Sequence, residues 1–118
     1  MKGTRGIGAR IELRARLHYL LRGYRVLAAN VWAGGNELDL VVRRGRRLVF
    51  CEVKGKRGRG HGDPLEMVGP EKQRRIARAA EAWLARHPEL ANLEMSFEVV
   101  AERAGRLSRV RAAFSHDP

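Results

Sequence analysis

The pattern of apolar and polar positions predicts two helices and five strands along the 118 residues. Between residues 6 and 22, leucines recur at helical spacing, which predicts a helix with one apolar stripe facing the core. The leucines of this stripe are Leu13, Leu17, Leu20 and Leu21. A second helix is predicted from Pro70 until Pro88, because proline suits the first position of a helix and interrupts its interior.

Short apolar runs bounded by glycine-containing turns predict the strands. They cover residues 24–31, 38–42, 48–53, 93–99 and 107–114. The third run is apolar on both faces, which favours a central position in the sheet. The order α-β-β-β-α-β-β predicts one α/β domain over the whole chain, with a mixed sheet flanked by helices.

Composition narrows the class of protein. A hydrophobic content of 44% favours a folded globule, and no apolar run is long enough for a membrane-spanning helix. The first residues lack the apolar segment of a signal peptide. The single cysteine, Cys51, fits a reducing compartment, so we expect a cytoplasmic protein with no membrane partner. Because Cys51 lies inside a strand, we expect a buried hydrophobic side chain and not a nucleophile.

The net charge of +11 predicts a polyanionic partner, most simply nucleic acid. Arginine supplies 20 of the 24 basic residues, and eight of the 24 fall between positions 43 and 59. Arginine donates two hydrogen bonds to phosphate oxygens, so this concentration suits a polyanion. We expect nucleic acid, most simply DNA, ahead of a membrane or a plain basic surface. The candidate phosphate contacts are Arg43, Arg44, Lys56, Arg57, Arg59, Lys72 and Arg75. A glycine- and arginine-rich loop at about residues 55–69 is expected to be flexible.

Three acids and a lysine lie on the two strands of the predicted hairpin. Glu37 and Asp39 share one face of the first strand, and Glu52 and Lys54 share one face of the second. Acids within apolar strands require a metal ion, hydrogen bonds or paired charges. Two carboxylates suit Mg²⁺ or Mn²⁺, and a neighbouring lysine could stabilise developing charge, which is the chemistry of phosphodiester hydrolysis.

Two further candidates lie on the predicted helices. Glu12 flanks the leucine stripe at about 100° from Leu13, so it either reaches the edge of a cleft or is an ordinary exposed glutamate. Lys72 lies one turn before Ile76 on the same side of the second helix. It either faces the same cleft or is solvated, and spacing alone does not decide between these positions.

The residues from Glu37 to Leu40, with Phe50-Cys-Glu-Val-Lys54, resemble the PD-(D/E)XK signature of restriction-endonuclease-like nucleases. More narrowly, the chain resembles the bacterial YraN-like family over most of its length, from Glu12 to the segment around Glu98. The resemblance implies a restriction-endonuclease-like core and assigns metal binding to Asp39 and Glu52. It makes Lys54 the catalytic lysine and Glu12 an additional acid near the metal, whereas the role of Glu37 is less defined.

The function expected from these observations is a Mg²⁺-dependent endonuclease acting on DNA, including branched or structured DNA. One alternative is a nucleic-acid-binding protein that keeps the fold without catalysis. Another is a structural or ribosome-associated protein in which the acids only form salt bridges. A homodimer would suit cleavage of two strands, but the sequence contains no recognisable interface.

Overall fold

The computed structural model describes residues 2–56 and 68–114, without the side chains of residues 2–8 and 56. Its elements are α1 (Lys2–Leu20), β1 (Arg25–Ala33), β2 (Asn36–Arg44), β3 (Arg47–Lys56), α2 (Pro70–Ala85), a 3₁₀ turn (Pro88–Leu90), β4 (Glu94–Arg103) and β5 (Arg106–Phe114). This order confirms the α-β-β-β-α-β-β prediction. Most of the predicted loop at 55–69, including Arg57 and Arg59, lies outside the described residues.

The five strands form one mixed sheet in the order β1-β2-β3-β4-β5. All neighbouring strands are antiparallel except β3 and β4, which are parallel and are connected through α2. A parallel pair needs such a crossover connection, whereas the antiparallel pairs are joined by short turns. The expected central position of the third strand is therefore confirmed.

The helices cover opposite faces of the sheet, giving three layers. Along β3 the side chains alternate: Leu48 and Phe50 join the core beneath α2, and Val49 and Cys51 join the core beneath α1. Trp83 of α2 packs in the first core with its ring edge-on to Phe50 at 5.8 Å between centroids. The expectation that Cys51 is a buried hydrophobic side chain is confirmed.

The predicted core stripe of α1 is wrong. Leu13, Leu17, Leu20 and Leu21 are 54%, 48%, 48% and 82% exposed. The face that packs on the sheet instead carries Ile11, Ala15 and Tyr19. Ala15 allows close approach of the helix to the sheet, and the tyrosine has a polar partner in the core. Helical spacing identified a periodic stripe but not which face of the helix is buried.

A buried charged cluster, absent from the sequence predictions, joins α1 to β4 and β5. Glu98 on β4 has no exposed surface, and its carboxylate accepts hydrogen bonds from Tyr19 at 2.6 Å and from Arg109 Nε at 2.7 Å. The Arg109 guanidinium also stacks over the Tyr19 ring at 4.8 Å. A buried carboxylate needs such paired and hydrogen-bonded surroundings. The signal in the sequence was an acid between Phe97 and Val99.

No helix in residues 2–56 and 68–114 is long and apolar enough to span a membrane.

Candidate functional site at the diverging ends of β2 and β3

The site begins where β2 separates from β3. Their ladder runs from Arg44 and Arg47 at the hairpin turn to Leu40 and Cys51. One residue beyond the last pair, Asp39 Oδ2 accepts a hydrogen bond at 2.9 Å from the backbone N–H of Val53. The Asp39 carboxylate therefore accepts the N–H of Val53, which lies beyond the last backbone pair of the β2–β3 ladder. This bond holds Asp39 beside β3.

Glu52 lies next to this bond on β3, with its side chain only 5% exposed. β3 is covered on its other side by β4, where Glu52 pairs in register with Val99. Burial is thus imposed by the central position of the strand. A carboxylate held there has lost most of its hydration and depends on its neighbours for compensation.

Two lysines approach the same oxygen of Glu52 from different elements. Lys54 Nζ, on β3, lies 3.9 Å from Glu52 Oε2, and Lys72 Nζ, near the start of α2, lies 3.7 Å from it. Of the two positions that the sequence left open for Lys72, beside the acids or in solvent, the structure shows the one beside Glu52. Both lysine side chains are about a third exposed, so the site is open to solvent on this side.

Burial, followed by the negative charge and hydrogen bonding of Asp39, raises the pKa of Glu52 to about 8. Lys72 and Lys54 act in the opposite direction but do not cancel the effect. Desolvation disfavours the charged form of an acid, and a second carboxylate disfavours it further. The Glu52 carboxyl consequently holds its proton to a higher pH than an exposed glutamate does.

Glu12 is the third acid that the resemblance assigns to the metal. It is half-buried on α1, and its Oε1 accepts a hydrogen bond at 3.1 Å from the side-chain amide of Asn30 on β1. Within residues 2–56 and 68–114, no three His, Cys, Asp or Glu side chains are grouped closely enough to hold a metal ion. The structure therefore brings Asp39 and Glu52 together, and leaves Glu12 engaged by Asn30.

Helix α1 nevertheless lies against the site end of β3. Gly55 follows Lys54, and a Cβ at position 55 would collide with Cδ1 of Ile11. Ile11 precedes Glu12 and is itself buried. Glycine at position 55 thus permits the close packing that holds this turn of α1 beside the two lysines and carboxylates.

Glu37 lies outside the acidic pair. Its side chain is exposed, and it pairs across the β1–β2 ladder with Trp32, which is exposed as well. It lies at the same end of β2 as Asp39, but of the two acids Asp39 is the one that bonds to β3, through the N–H of Val53. No direct role in the pair is assigned to Glu37 by these contacts.

The basic residues of the β2–β3 turn lie at the opposite end of these strands from the pair. Arg43 donates to the carbonyl of Gly45, and Arg44 donates to the carbonyl of Arg22 and stacks over Tyr24 at 4.7 Å. Of the predicted phosphate contacts, these two are engaged in local structure. Arg75 pairs with Glu71 on its own helix at 3.4 Å. Among the predicted contacts whose side chains the structure describes, only Lys72 adjoins the carboxylates.

The donor set of the pair fits a hard divalent cation. Mg²⁺ commonly uses one or two carboxylates and completes its shell with water and substrate phosphate. Asp39 and Glu52 offer two carboxylates, and a cation beside them would oppose the burial and the Asp39 charge that raise the pKa of Glu52. Lys54 and Lys72 supply fixed positive charge beside the same position.

The fold and these residues define an α/β protein with a five-stranded mixed sheet and an acidic pair at the diverging ends of two strands. The chain belongs to the family described as Uncharacterised protein family UPF0102, which it matches over residues 11–101. This range contains every carboxylate and lysine discussed above. It also confirms the YraN-like membership that the sequence indicated.

Several relatives are similar over nearly the whole chain. A UPF0102 protein of Burkholderia vietnamiensis is 44% identical over 115 residues, covering 97% of this chain and 80% of that protein. One from Xylella fastidiosa is 41% identical over 120 aligned residues, covering 99% and 98%. One from Parvibaculum lavamentivorans is 46% identical over 95 residues, covering 80% and 69%.

Proposed function

We propose that this protein is a Mg²⁺-dependent endonuclease of the PD-(D/E)XK class, with a restriction-endonuclease-like core, acting on branched or structured DNA. The observation that carries the proposal is the buried Glu52 beside Asp39, with Lys54 Nζ 3.9 Å from the Glu52 carboxylate. An acid, a second acid and a lysine two residues later, gathered at one end of a sheet, match the chemistry that hydrolysis of a phosphodiester requires.

Asp39 and Glu52 would hold the cation, with Mn²⁺ able to replace Mg²⁺, and Glu12 would contribute from α1. The bound cation would polarise the phosphoryl oxygen and lower the pKa of a water molecule. Lys54 would stabilise the negative charge that develops on the phosphate, and Lys72 would hold the Glu52 carboxylate and meet the incoming strand. These roles are supported by the position of both ammonium groups, which approach Glu52 Oε2 and are partly exposed.

The charge of the molecule supports DNA as the substrate. A net charge of +11 favours association with a polyanion and predicts affinity that falls steeply as salt is added. The proposed phosphate contacts are Lys72, which lies beside Glu52, and Lys56, Arg57 and Arg59, which follow Lys54 in the sequence. Arg43 and Arg44 would meet DNA only if the duplex extended along the strands to the β2–β3 turn.

A non-catalytic nucleic-acid-binding protein is the second candidate. The observation that favours it is the pair of lysines on Glu52 Oε2, because two ammonium groups partly neutralise the carboxylate without a metal. That protein would bind DNA by the same basic surface and would neither require Mg²⁺ nor cleave. Metal dependence and turnover therefore separate the two functions.

The test compares wild-type protein with Lys54→Ala for binding and for cleavage of single-stranded, duplex, flap and four-way-junction DNA in Mg²⁺. Loss of at least ~100-fold in cleavage with DNA affinity changed by only a few-fold is expected, because electrostatic stabilisation of the transition state is removed. Arg74→Ala, which removes one exposed positive charge from α2, is the matched control and should cleave normally. Cleavage retained by Lys54→Ala would contradict the assigned role.

A further inference from the structure

Asn30 has a backbone conformation that residues other than glycine rarely adopt. Its φ is 52°, in the left-handed region, although the residue lies within β1 and not in a turn. Asparagine tolerates this region better than most residues because its short polar side chain can form local hydrogen bonds. Such a conformation inside a strand persists only where the contacts around the residue stabilise it.

The β1–β2 ladder is interrupted at Asn30, and the register on either side places this residue across from Asp39. The flanking pairs of the β1–β2 ladder are Ala29 with Leu40 and Val31 with Leu38. Opposite residues on antiparallel strands have Cα atoms about 4.5–5.5 Å apart. The strained residue therefore adjoins the acid that marks the separation of β2 from β3.

The amide of Asn30 turns away from the sheet ladder and toward α1. Its Nδ2 donates to Glu12 Oε1 at 3.1 Å. The neighbouring residue on the helix, Ile11, packs against Gly55 immediately after Lys54. Two contacts therefore hold this part of α1. The Glu12 carboxylate bonds to Asn30 on β1, and Ile11, the residue before Glu12, packs against Gly55 on β3.

We propose that Asn30 is a positioning residue that holds the Glu12 carboxylate as an additional acidic group for the Asp39–Glu52 site. The left-handed backbone of Asn30 interrupts β1 at this residue, and the Asn30 amide bonds to α1 instead of to a neighbouring strand. This inference rests on the proposed function, since Glu12 acts there toward a divalent cation. A hydrogen bond to one oxygen restricts rotation of the carboxylate and orients it before metal binding, and loss of such partners typically lowers affinity about 10–100-fold.

Calorimetric titration with Mn²⁺ alone tests the proposal. Asn30→Gly keeps access to the left-handed backbone and removes only the amide, so Mn²⁺ affinity should fall about tenfold while the melting temperature changes little. Glu12→Ala should also weaken binding, and adding Asn30→Gly to it should cause no further loss, because the amide then has no carboxylate to hold. Asn36→Ala is the control, since that amide donates to the backbone carbonyl of Glu37.

The outcomes separate this inference from the proposed function. Wild-type affinity in Asn30→Gly would overturn the role of Asn30 alone. Absence of Mn²⁺ binding by the wild-type protein, or binding that Glu52→Gln leaves unchanged, would overturn both.

A second measurement requires no substitution at Asn30. In NMR spectra, the side-chain amide resonances of Asn30 should move when Mg²⁺ is added to wild-type protein and should stay in place in Glu12→Ala. Asn30 amide chemical shifts that do not change with Mg²⁺ in either protein would overturn the positioning role. This readout depends on the hydrogen bond and not on catalytic activity.

Discussion

Lys72 Nζ, carried by α2, lies 3.7 Å from the oxygen of Glu52 that Lys54 Nζ approaches at 3.9 Å. The helix that crosses between the parallel strands thus delivers a second ammonium group to a carboxylate in the central strand. Removing positive charge from a partly desolvated acid makes its ionised form less stable. The two lysines therefore set the charge of the site together with Asp39.

Lys72→Met should raise the pKa of Glu52 above its value of about 8, because one of the two lysines that lower it is removed. A ¹³C NMR titration of the glutamate carboxyl carbons measures this pKa directly. Arg75→Met is the matched control, since it also removes one positive charge from α2. Arg75 pairs with the exposed Glu71 and not with Glu52. An equal pKa in wild type and Lys72→Met would contradict the electrostatic role of Lys72.

The free energy of unfolding should depend on pH because Glu52 titrates differently in the folded and unfolded states. Its pKa rises from 4.5 to about 8 on folding, so between these values the native state holds more protons than the unfolded state. The associated stabilisation is complete below about pH 4.5 and is lost as the pH rises through about 8, with a slope of up to about 1.4 kcal/mol per pH unit.

Urea unfolding of wild type and Glu52→Gln across this range isolates that contribution from other titrating groups. The difference in free energy of unfolding should shift in favour of Glu52→Gln as the pH rises, because the glutamine cannot ionise. Glu37→Gln, which changes an exposed acid, should show no such trend. A difference between wild type and Glu52→Gln that is constant with pH would mean that Glu52 titrates normally.

Alanine and glycine at position 30 should give proteins of different stability. At a φ of 52°, Asn30→Ala introduces a Cβ in the left-handed region and is expected to lower the free energy of unfolding by about 1–2 kcal/mol. Asn30→Gly should be more stable than Asn30→Ala, because glycine adopts this conformation readily. Asn92→Ala, at an exposed turn, serves as the control. Equal stability of the two Asn30 variants would indicate that the strand relaxes around this residue.

Helix α1 should respond to substitution on the face opposite to its leucines. Tyr19→Phe removes a hydrogen bond to the buried Glu98 carboxylate and should lower the free energy of unfolding by about 1.5–3 kcal/mol. Leu21→Ser, at a residue that is 82% exposed, should change it by no more than about 0.5 kcal/mol. Urea denaturation of both variants checks this contrast, and a larger loss in Leu21→Ser would mean that the leucine stripe is covered in solution.

Local signals were sufficient to predict the element order, the central strand and the meeting of Asp39, Glu52 and Lys54. Each depends on short-range alternation or on a turn between neighbouring strands, which the sequence expresses directly. The buried face of α1 was not predictable in this way, because it depends on Glu98 and Arg109, about 80 and 90 positions from Tyr19. For the same reason, spacing gave no sign that Asn30 bonds Glu12.

The proposed function makes the Asp39–Glu52 pair a metal-dependent catalytic centre. Its most direct test is cleavage of a labelled four-way junction and a matched duplex by wild type and Glu52→Gln, purified identically, in Mg²⁺, Mn²⁺ or EDTA. Cleavage by wild type in either metal, absent in EDTA and lost in Glu52→Gln, is the predicted result. Tight binding without cleavage under every condition, or equal cleavage by the two proteins, would contradict the claim and favour a binding protein in the first case and a contaminating nuclease in the second.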